Sequence, residues 1–287
     1  MNILQALRES TNFIKQVTNQ SQIESKIEAE HIFMFILQVS KTKLYEQYDS
    51  ILTDSNNKKI KNILELRRKK PLSYIINKHM FYREEFYINE SVLIPRPETE
   101  SIIDEILLQG DKLFEEKKRC VFLDAGTGSG CVGITVANER PRWKVLLLEL
   151  YSEAIDVAKT NLKLCNKNNI DLICSDWLKP IAKNSLDFIF SNPPYIKLND
   201  ESIDETVREN EPSSSLFSHG NGLSDIIKII KYSRDTLSKK GILFLENGTG
   251  QSSDISSHLE LNDFTDIRVH IDYNGHDRFT SSRKSNG

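Results

Sequence analysis

The chain has 287 residues, with 38 lysines and arginines against 41 acidic residues, and its net charge of −3 excludes a global electrostatic field that attracts nucleic acid. A hydrophobic fraction of 38% is sufficient for a globular core, and the length allows one large and one small domain. We find no signal-peptide pattern and no apolar run near the roughly 18 to 20 residues of a membrane span. We therefore expect a cytoplasmic protein that makes no membrane contact.

The cysteines and histidines do not form a pattern typical of metal binding. The four cysteines are dispersed without a C-x-x-C pair, and the six histidines are scattered along the chain. We expect free thiols in a reducing cytoplasm and no metal.

Residues 1 to about 70 are predicted to form helices, because their apolar residues recur at the spacing of one helix face. The helices are predicted at 3–17, 23–39, 44–48 and 56–70. Ile23 and Ile27 are assigned to the more buried second helix, and Leu66 to the inward face of the fourth. The basic cluster Arg67–Lys70 precedes Pro71, which stops that helix. The cluster is either a solvated helix end or a contact for an acidic or RNA-bearing partner.

Residues 79–96 differ in character, because aromatic and β-branched residues such as Phe81 and Tyr87 recur there and predict a β-hairpin. The hairpin is interpreted as a linker between a helical domain, residues 1–78, and a second domain, residues 97–287. We therefore expect a small helical domain, a short linker and a larger domain.

The segment Ile94–Glu100 reads I-P-R-P-E-T-E, and its two prolines stiffen the backbone. Thr99 is expected to cap a helix over 101–108, with Glu98 and Glu100 near the positive end of that helix. A rigid linker and a wall of a ligand pocket both account for this segment at the level of residue chemistry.

From residue 120 onward, predicted strands and helices alternate, which is typical of an α/β domain with a mostly parallel sheet and helices on both faces. The strands are predicted at 121–124, 144–149, 171–174, 186–191, 241–246, 264–271 and 276–282. The helices are predicted at 131–139, 152–165, 223–238 and 251–260. Ligands of such sheets bind beyond the carboxyl ends of the strands, so the residues that follow each strand are the candidates for chemistry.

A glycine-rich loop follows the first of these strands. The strand ends in Asp124, and the sequence continues A-G-T-G-S-G, with glycines at 126, 128 and 130. Glycines permit a positive φ and let a ligand approach the backbone. The spacing is one residue shorter than the dinucleotide fingerprint G-x-G-x-x-G, and the loop alone is also compatible with an ordinary tight turn.

Acidic and aromatic residues follow the second and third strands. Glu149 ends the second strand, where one carboxylate can accept from both hydroxyls of a nucleotide ribose, although an exposed acidic residue is the simpler alternative. Asp176 and Trp177 follow the third strand and suit the edge and the face of an adenine ring. A buried tryptophan beside a turn aspartate is the alternative for that pair.

The fourth strand leads into Ser191-Asn192-Pro193-Pro194-Tyr195, the most specific feature of the sequence. The two prolines fix the backbone and remove two N–H donors, which leaves carbonyl oxygens free to accept. The Asn192 oxygen and a proline carbonyl can each accept one hydrogen of a planar NH2 group, while the Tyr195 ring packs on its face. The pattern favours a site for an amide or an exocyclic amino group.

Together, the G-x-G-x-G loop, the acidic end of the second strand and N-P-P-Y resemble the class I S-adenosylmethionine-dependent methyltransferases that act on amide or amino nitrogens. Further motifs narrow the resemblance: V-L-I-P-R-P-E-T-E at 92–100, D-A-G-T-G-S-G-C-V at 124–132, S-N-P-P-Y-I at 191–196 and N-G-H-D-R at 274–278. Nearly the whole chain is similar to the HemK/PrmC family of protein-(glutamine-N5) methyltransferases. The resemblance implies a Rossmann-like sheet, a small N-terminal helical domain and S-adenosyl-L-methionine as cofactor.

The resemblance also implies a partner and a set of roles. The substrate would be the glutamine of the Gly-Gly-Gln motif in class 1 peptide chain release factors, with the helical domain docking the release factor. We expect a monomer that supports translation termination and binds no DNA directly. Cofactor binding is implied for Asp124, Gly126, Thr127, Gly128, Ser129, Gly130, Glu149, Asp176, Trp177 and Asn192. Substrate binding is implied for Leu93, Pro95, Arg96, Pro97, Asn192, Pro193, Pro194, Tyr195 and Glu246, and catalysis for Asn192, Pro193, Pro194 and Tyr195.

The sequence departs from the family pattern at several positions. Glu149 stands where aspartate is more common, and its longer side chain can still chelate a diol if the backbone sits back slightly. Asn247 places a polar residue near a strand end, and Ser214 and Ser215 take a position that is usually apolar. The chain from Arg283 onward looks like a polar tail. These departures do not change the expected reaction, but they concern the packing of the C-terminal region and the catalytic rate.

Three alternative functions are disfavoured. An N6-adenine methyltransferase of nucleic acid would require a basic groove or an inserted base-recognition domain, and the net charge of −3 argues against it. A non-catalytic module that binds the release factor is disfavoured by the intact N-P-P-Y. A nicotinamide oxidoreductase is disfavoured by the spacing of the glycine loop and by N-P-P-Y.

Overall fold

The structure is a computed structural model that describes residues 1–285, and the chain divides into two compact units, Met1–Asn77 and Lys78–Gly287. The first unit is helical, as predicted. Its helices are α1 (Ile3–Thr18), α2 (Gln22–Leu37), α3 (Lys41–Glu46), α4 (Asp54–Arg67) and α5 (Leu72–Ile76). The first four begin at polar caps whose side chains accept backbone N–H bonds, namely Asn2, Ser21, Ser40 and Thr53. No helix in the described part of the chain is long and apolar enough to cross a membrane.

Several apolar residues of the first unit face solvent, including three that were assigned to helices from the sequence. Ile23 and Ile27, at the start of the helix expected to be more buried, are 73% and 44% exposed. Leu66 is 52% exposed, so the inward placement expected for it is wrong. Helix α2 instead buries Ile32 and Phe33 completely. Because the apolar residues of α2 occur on all of its faces, their spacing alone does not mark the side that becomes the core.

The basic cluster Arg67–Lys70 makes contacts inside the first unit. Arg67 forms an ion pair with Glu28, and both side chains are almost buried, so this pair joins α4 to α2. The Arg68 guanidinium lies 4.5 Å from the centre of the Phe13 ring. These contacts account for two members of the cluster and favour a local helix end over a contact for a partner.

The second unit has the predicted α/β architecture. Its helices are α6 (Pro97–Glu100), α7 (Ile103–Lys117), α8 (Cys131–Glu139), α9 (Ser152–Cys165), α10 (Glu205–Asn210), α11 (Ser213–Leu216), α12 (Ser224–Thr236) and α13 (Ser252–Glu260). Its strands are β1 (Lys78–Phe81), β2 (Glu84–Tyr87), β3 (Val121–Ala125), β4 (Lys144–Glu149), β5 (Ile170–Cys174), β6 (Leu186–Ser191), β7 (Ile196–Lys197), β8 (Phe217–Ser218), β9 (Leu237–Glu246), β10 (Phe264–Ile271) and β11 (Asp277–Lys284).

The main sheet has seven strands in the order β10-β11-β9-β6-β3-β4-β5. The strands from β9 to β5 are parallel, and β11 runs antiparallel to both β9 and β10. The strand order reverses at β3, which has β4 on one side and β6 on the other. A crevice outside the carboxyl ends of the strands at such a reversal is the usual ligand site of an open α/β sheet.

Consecutive residues of the central strands enter two different cores, because strand side chains alternate between faces. Phe122 and Phe188 lie in the core formed with α7 and α8, whereas Leu123 and Ile189 lie in the core formed with α12 and α13. All four are fully buried. The sheet is therefore covered on both sides, and its strand ends are where functional side chains can reach solvent.

The predicted hairpin is present as β1 and β2, and it packs within the second unit. Phe81 and Phe86 are buried in the same core as α7 and α8. The Asn161 side chain on α9 bonds both backbone groups of Tyr87, accepting from its N–H and donating to its C=O. These contacts attach the segment that leads to Ile94–Glu100 to the face of the sheet.

Three expectations for local structure are wrong. Thr99 is not a helix cap: Pro97 starts α6 earlier, and the Thr99 hydroxyl donates to Glu246. Strand β9 begins at Leu237, which pairs with Leu186, so the strand covers residues expected to end the preceding helix. Arg283 is not in a polar tail, since it continues β11 and pairs in register with Ile242. Of the predicted tail, residues 286 and 287 lie outside the described residues.

Candidate active site

A cavity of about 330 Å³ lies at the carboxyl ends of the central strands, a size within the range of small-molecule sites. It is lined by these predicted site residues: Leu93, Pro95, Arg96, Asp124, Gly126, Thr127, Gly128, Ser129, Glu149, Asp176, Trp177, Asn192 and Pro194. Five others, all in the described part of the chain, do not line it: Pro97, Gly130, Pro193, Tyr195 and Glu246. The cavity thus brings together residues of both predicted functional sets.

The glycine-rich loop is shaped by backbone conformation at Gly128 and by close packing at Gly133. Gly128 has a φ of +56°, and its position is otherwise open, so conformation rather than space selects glycine there. A Cβ at Gly133 would lie 2.1 Å from the Leu147 side chain, so α8 can approach the sheet only without one. The loop can therefore turn directly from β3 into α8 beside the cavity.

Asp124 organises the loop from its base. Its carboxylate accepts from the Thr127 hydroxyl at 2.6 Å and from the Gly133 N–H at 3.0 Å, and the residue is 2% exposed. Burial raises the pKa of Asp124 to about 6, and the nearby Glu149 carboxylate acts in the same direction. A cation entering the cavity would favour the ionised form of this carboxyl group.

Glu149 connects β4 to the loop and to the start of α9. One carboxylate oxygen accepts from the Gly128 N–H at 2.9 Å, and the other accepts from the N–H groups of Leu150 and Tyr151. A carboxylate has roughly four acceptor positions, so about one is left for a ligand hydroxyl. Glu149, at the end of β4, thus holds the loop that follows the neighbouring strand β3.

The end of β5 supplies an aromatic wall. Trp177 has a φ of +49°, and its indole N–H donates to Asp225 at 3.3 Å. The ring lies against Gly126, where a Cβ would meet it at 3.2 Å. Asp176 pairs with Lys179, so its carboxylate has a protein partner as well as a place in the cavity wall.

The end of β6 places Asn192 in the cavity and connects it to α6 and β9. The Asn192 NH2 group donates to the Thr99 hydroxyl oxygen at 3.4 Å, and the Thr99 hydroxyl donates to Glu246 at 2.7 Å. Tyr195 does not line the cavity: burial raises the pKa of its hydroxyl, and its backbone oxygen accepts from Gln251. Asn192 is therefore the polar side chain of N-P-P-Y that reaches the cavity.

Glu246 ends β9 and is 1% exposed. Burial raises the pKa of its carboxyl group to about 7, opposed by the Thr99 hydrogen bond and by the positive charge of Arg278. Its predicted role in substrate binding stays a prediction; the residue itself does not line the cavity, and its carboxylate accepts from Thr99, which does. The neighbouring Asn247 is fully buried, and its amide holds β9 to β11 through bonds to Asp277 and Thr280.

Arg96, which lines the cavity, forms an ion pair with Glu211. One Arg96 nitrogen donates to both oxygens of Glu211, at 2.8 and 2.9 Å, and Glu211 is 5% exposed. Burial raises the pKa of Glu211, against the effect of Arg96. The pair ties I-P-R-P-E-T-E to the segment after α10, whose residues Ser214 and Ser215 also line the cavity.

The sequence did not indicate several residues that line the cavity. They include Tyr151, Phe217, Asp225 and Lys228. Tyr151 could have been found as the second residue after β4, by the same rule that selected Glu149. Asp225 and Lys228 come from the first turns of α12, and nothing local in the sequence marks them as parts of the site.

Comparison with known proteins supports a methyltransferase. Residues 105–211 match the family model described as "Methyltransferase small domain". The release factor glutamine methyltransferase of Francisella tularensis is 35% identical to this chain, over 92% of this chain and 93% of its own length. That of Fusobacterium nucleatum is 34% identical over 90% and 73%, and that of Escherichia coli K12 is 29% identical over 96% and 97%.

Solved structures confirm the fold class. The hMettl16 catalytic domain in complex with MAT2A 3'UTR hairpin 6 is similar with a TM-score of 0.54 and 17% identity, over 70% of this chain and 74% of that one. The delta-N METTL16 MTase domain gives a TM-score of 0.52 and 18% identity, over 69% and 87%. At such identity the likeness concerns the architecture of the sheet and not the substrate.

Proposed function

This chain belongs to the family of release factor glutamine methyltransferases, and we propose that it methylates the amide nitrogen (N5) of the glutamine in the Gly-Gly-Gln motif of class 1 peptide chain release factors. The methyl donor is S-adenosyl-L-methionine. The observation that carries the proposal is the Asn192 side chain, which lines the cavity with its NH2 group engaged by Thr99. Its oxygen is then available to accept from the NH2 group of a substrate glutamine.

The cavity fits S-adenosyl-L-methionine better than a nucleotide that carries phosphates. Its wall includes the carboxylates of Asp124 and Glu149, which favour a cationic ligand and repel phosphate. The Gly128 N–H, which a phosphate would need, already donates to Glu149. The loop and Asp124 would hold the amino-acid end of the cofactor, Glu149 the ribose, and Trp177 with Asp176 the adenine. When bound, S-adenosyl-L-methionine supplies an electrophilic methyl group on a sulfonium.

The substrate side of the cavity must make an amide nitrogen reactive. The nitrogen lone pair is delocalised into the carbonyl, so an amide is a poor nucleophile. If the Asn192 oxygen and a proline carbonyl each accept one N–H of the glutamine, they hold the NH2 group and aim its lone pair. As positive charge develops on nitrogen, both hydrogen bonds strengthen, which stabilises the transition state more than the ground state. The proton can leave after transfer, so this scheme requires no strong base.

We further propose roles for the parts of the chain outside the cavity. The helical domain, residues 1–78, would dock the release factor, residues 79–96 would connect it, and residues 97–287 would carry out the transfer. The exposed Ile23, Ile27 and Leu66 are compatible with such docking. We propose that the protein acts as a monomer and makes no direct contact with DNA, in keeping with its net charge of −3.

The test is mass spectrometry of a release factor after incubation with this protein and S-adenosyl-L-methionine. We expect the added mass of one methyl group on the glutamine of the Gly-Gly-Gln peptide, together with release of S-adenosylhomocysteine. A release factor with glutamine replaced in that motif is the matched control and should gain no methyl group. Methylation of an adenine-containing DNA or RNA in place of the release factor would support the N6-adenine alternative. Binding of the release factor without S-adenosylhomocysteine release would support a non-catalytic module.

A further inference from the structure

Three polar side chains from distant parts of the chain form a continuous line of hydrogen bonds that ends in the cavity. Glu246 on β9 is 1% exposed and Thr99 on α6 is 3% exposed, so the inner two members are buried. The distances are 2.7 Å between Thr99 Oγ1 and Glu246 Oε2 and 3.4 Å between Asn192 Nδ2 and Thr99 Oγ1. Asn192 and Thr99 line the cavity, whereas Glu246 lies behind them.

The direction of every bond in this line follows from the charge on Glu246. An ionised carboxylate can only accept, so the Thr99 hydroxyl must donate its single proton to it. The Thr99 oxygen can then only accept from Asn192, and the group that points to it must be the Asn192 NH2. Within residues 1–285, no group donates to Asn192 Oδ1, so that oxygen is left for a ligand.

We propose that Thr99 and Glu246 are positioning residues that fix the amide orientation of Asn192, so that its oxygen rather than its NH2 group meets the substrate. The inference rests on the proposed function, since the substrate group to be met is the NH2 of glutamine. If the Asn192 amide were rotated by 180°, its NH2 donors would face the NH2 donors of the substrate glutamine, and the two groups could not form a hydrogen bond. Glu246 thus contributes to the reaction without touching the substrate.

The same line predicts a dependence on pH. A protonated Glu246 can donate to the Thr99 oxygen, Thr99 can then donate to Asn192, and the amide turns its NH2 group toward the cavity. The groups that act on Glu246 are Thr99 and Glu98 on α6, Arg96 before it, and Arg278 on β11. Tyr195 also interacts with Glu246 and with Arg278, which pairs with Asp272. Burial also raises the pKa of Asp124, so the Glu246→Gln variant is needed to assign a transition to Glu246.

The first experiment compares turnover of a release factor by Thr99→Val, Thr99→Ser and the wild type. We expect Thr99→Val to lower kcat about tenfold, the usual effect of one lost orienting hydrogen bond, with the KM for S-adenosyl-L-methionine unchanged. Thr99→Ser keeps the hydroxyl and should restore kcat to near the wild-type value. Thr280→Val is the matched control, because Thr280 is also fully buried and its hydroxyl bonds Asn247 outside this line. A kcat for Thr99→Val equal to that of Thr280→Val would overturn the proposal.

The second experiment follows the pH profile of kcat in the wild type and in Glu246→Gln. In the wild type, kcat should fall as pH decreases through about 7, and this limb should be absent in Glu246→Gln. Glutamine cannot change its charge, so its preference for donating or accepting does not vary with pH. An unchanged limb in Glu246→Gln would contradict the role given to Glu246.

A third measurement does not depend on turnover. The side-chain amide of Asn192, identified by loss of its NMR signal in Asn192→Ala, should shift with a midpoint near pH 7 in the wild type. If the wild type shows this shift but methylates no release factor, the proposed function is wrong, whereas the proposed control of Asn192 by Thr99 and Glu246 is supported. If the wild type methylates the release factor and the Asn192 signal does not respond to pH, the proposed function is supported, whereas the proposed control of Asn192 by Thr99 and Glu246 is wrong.

Discussion

The two halves of the cavity are built in different ways. The half formed by β3, β4 and β5 is called here the cofactor half. Its hydrogen bonds join residues that are close in sequence: Asp124 bonds Thr127, three positions on, and Glu149 bonds Gly128, 21 positions away. The half formed by α6, β6 and β9 is called here the glutamine half. In it, Thr99 bonds Glu246 across 147 positions of sequence, and Arg96 bonds Glu211 across 115 positions. The first half is largely local backbone and turn chemistry, and the second exists only after folding.

Because of this difference, we expect substitutions in the two halves to affect different properties of the protein. The cofactor half relies on backbone N–H groups and two carboxylates, so single changes there should alter cofactor affinity or the stability of the loop. The glutamine half relies on the orientation of one amide, Asn192, set by side chains behind it. Changes there should alter turnover more than cofactor affinity, and kinetics can separate the two halves.

The largest effect is expected from Asn192→Ala. The substitution removes the acceptor that the glutamine NH2 group would meet, and loss of one such orienting group costs about a thousandfold in kcat. The cofactor half is untouched, so the Kd for S-adenosyl-L-methionine measured by calorimetry should remain close to the wild-type value. Near-normal turnover would remove Asn192 from the mechanism and make the contrast between the halves untenable.

The next largest effect is expected from Glu149→Gln, on affinity. The substitution removes the charge of a group that accepts from three backbone N–H groups and would accept from the ribose, and charged hydrogen bonds contribute roughly 1.5–3 kcal/mol. We expect the Kd for S-adenosyl-L-methionine to rise about a hundredfold, with kcat at saturating cofactor largely kept. Glu153→Gln, an exposed position on α9, is the control. A fall in kcat without a change in Kd would place Glu149 in the other half.

Asp124→Asn tests the same half through stability. The pKa of Asp124 in the folded protein, about 6, lies above its ordinary value of 3.8, so its contribution to stability is present at low pH and is lost as pH rises through 6. Asparagine does not ionise, so the variant does not lose this stability as pH rises. The free energy of unfolding of the variant minus that of the wild type should therefore increase by about 2 kcal/mol between roughly pH 4 and pH 7.5. Urea unfolding at both pH values measures it, with the exposed Asp171→Asn as control. A difference that does not vary with pH would contradict the raised pKa.

How much could be predicted from sequence follows the same division. Asp124, the glycine loop and Glu149 were found because strand ends and turn glycines carry a local signal. For the glutamine half the local signal is only partial: N-P-P-Y marked Asn192, but Thr99 was expected to cap a helix, and no pattern linked Thr99 to Glu246. The error at Thr99 and the missed link to Glu246 have one cause, since a contact across 147 positions leaves no trace in local spacing.

The smallest effect is expected from Arg96→Lys, which probes how the glutamine half is closed. Lysine keeps the positive charge beside the buried Glu211, but its side chain is shorter than that of arginine, so its ammonium group should hold the two carboxylate oxygens less closely. The segment between β7 and β8 would then be attached less firmly to I-P-R-P-E-T-E. We expect the KM for the release factor to rise about threefold, with kcat and the Kd for S-adenosyl-L-methionine unchanged, because a weakened ion pair with charge retained costs on the order of 1 kcal/mol or less.

Arg119→Lys is the matched control for that change, because Arg119 is 60% exposed and lies 3.6 Å from the buried Asp187, away from the cavity. Steady-state kinetics with an intact release factor and with a short Gly-Gly-Gln peptide separates closure from chemistry. If the pair acts by holding the segment against a folded substrate, the KM for the protein should rise and the KM for the peptide should not. A loss of kcat comparable to that of Asn192→Ala would show instead that Arg96 acts on the reacting amide, and the glutamine half would then depend on direct charge as well as on orientation.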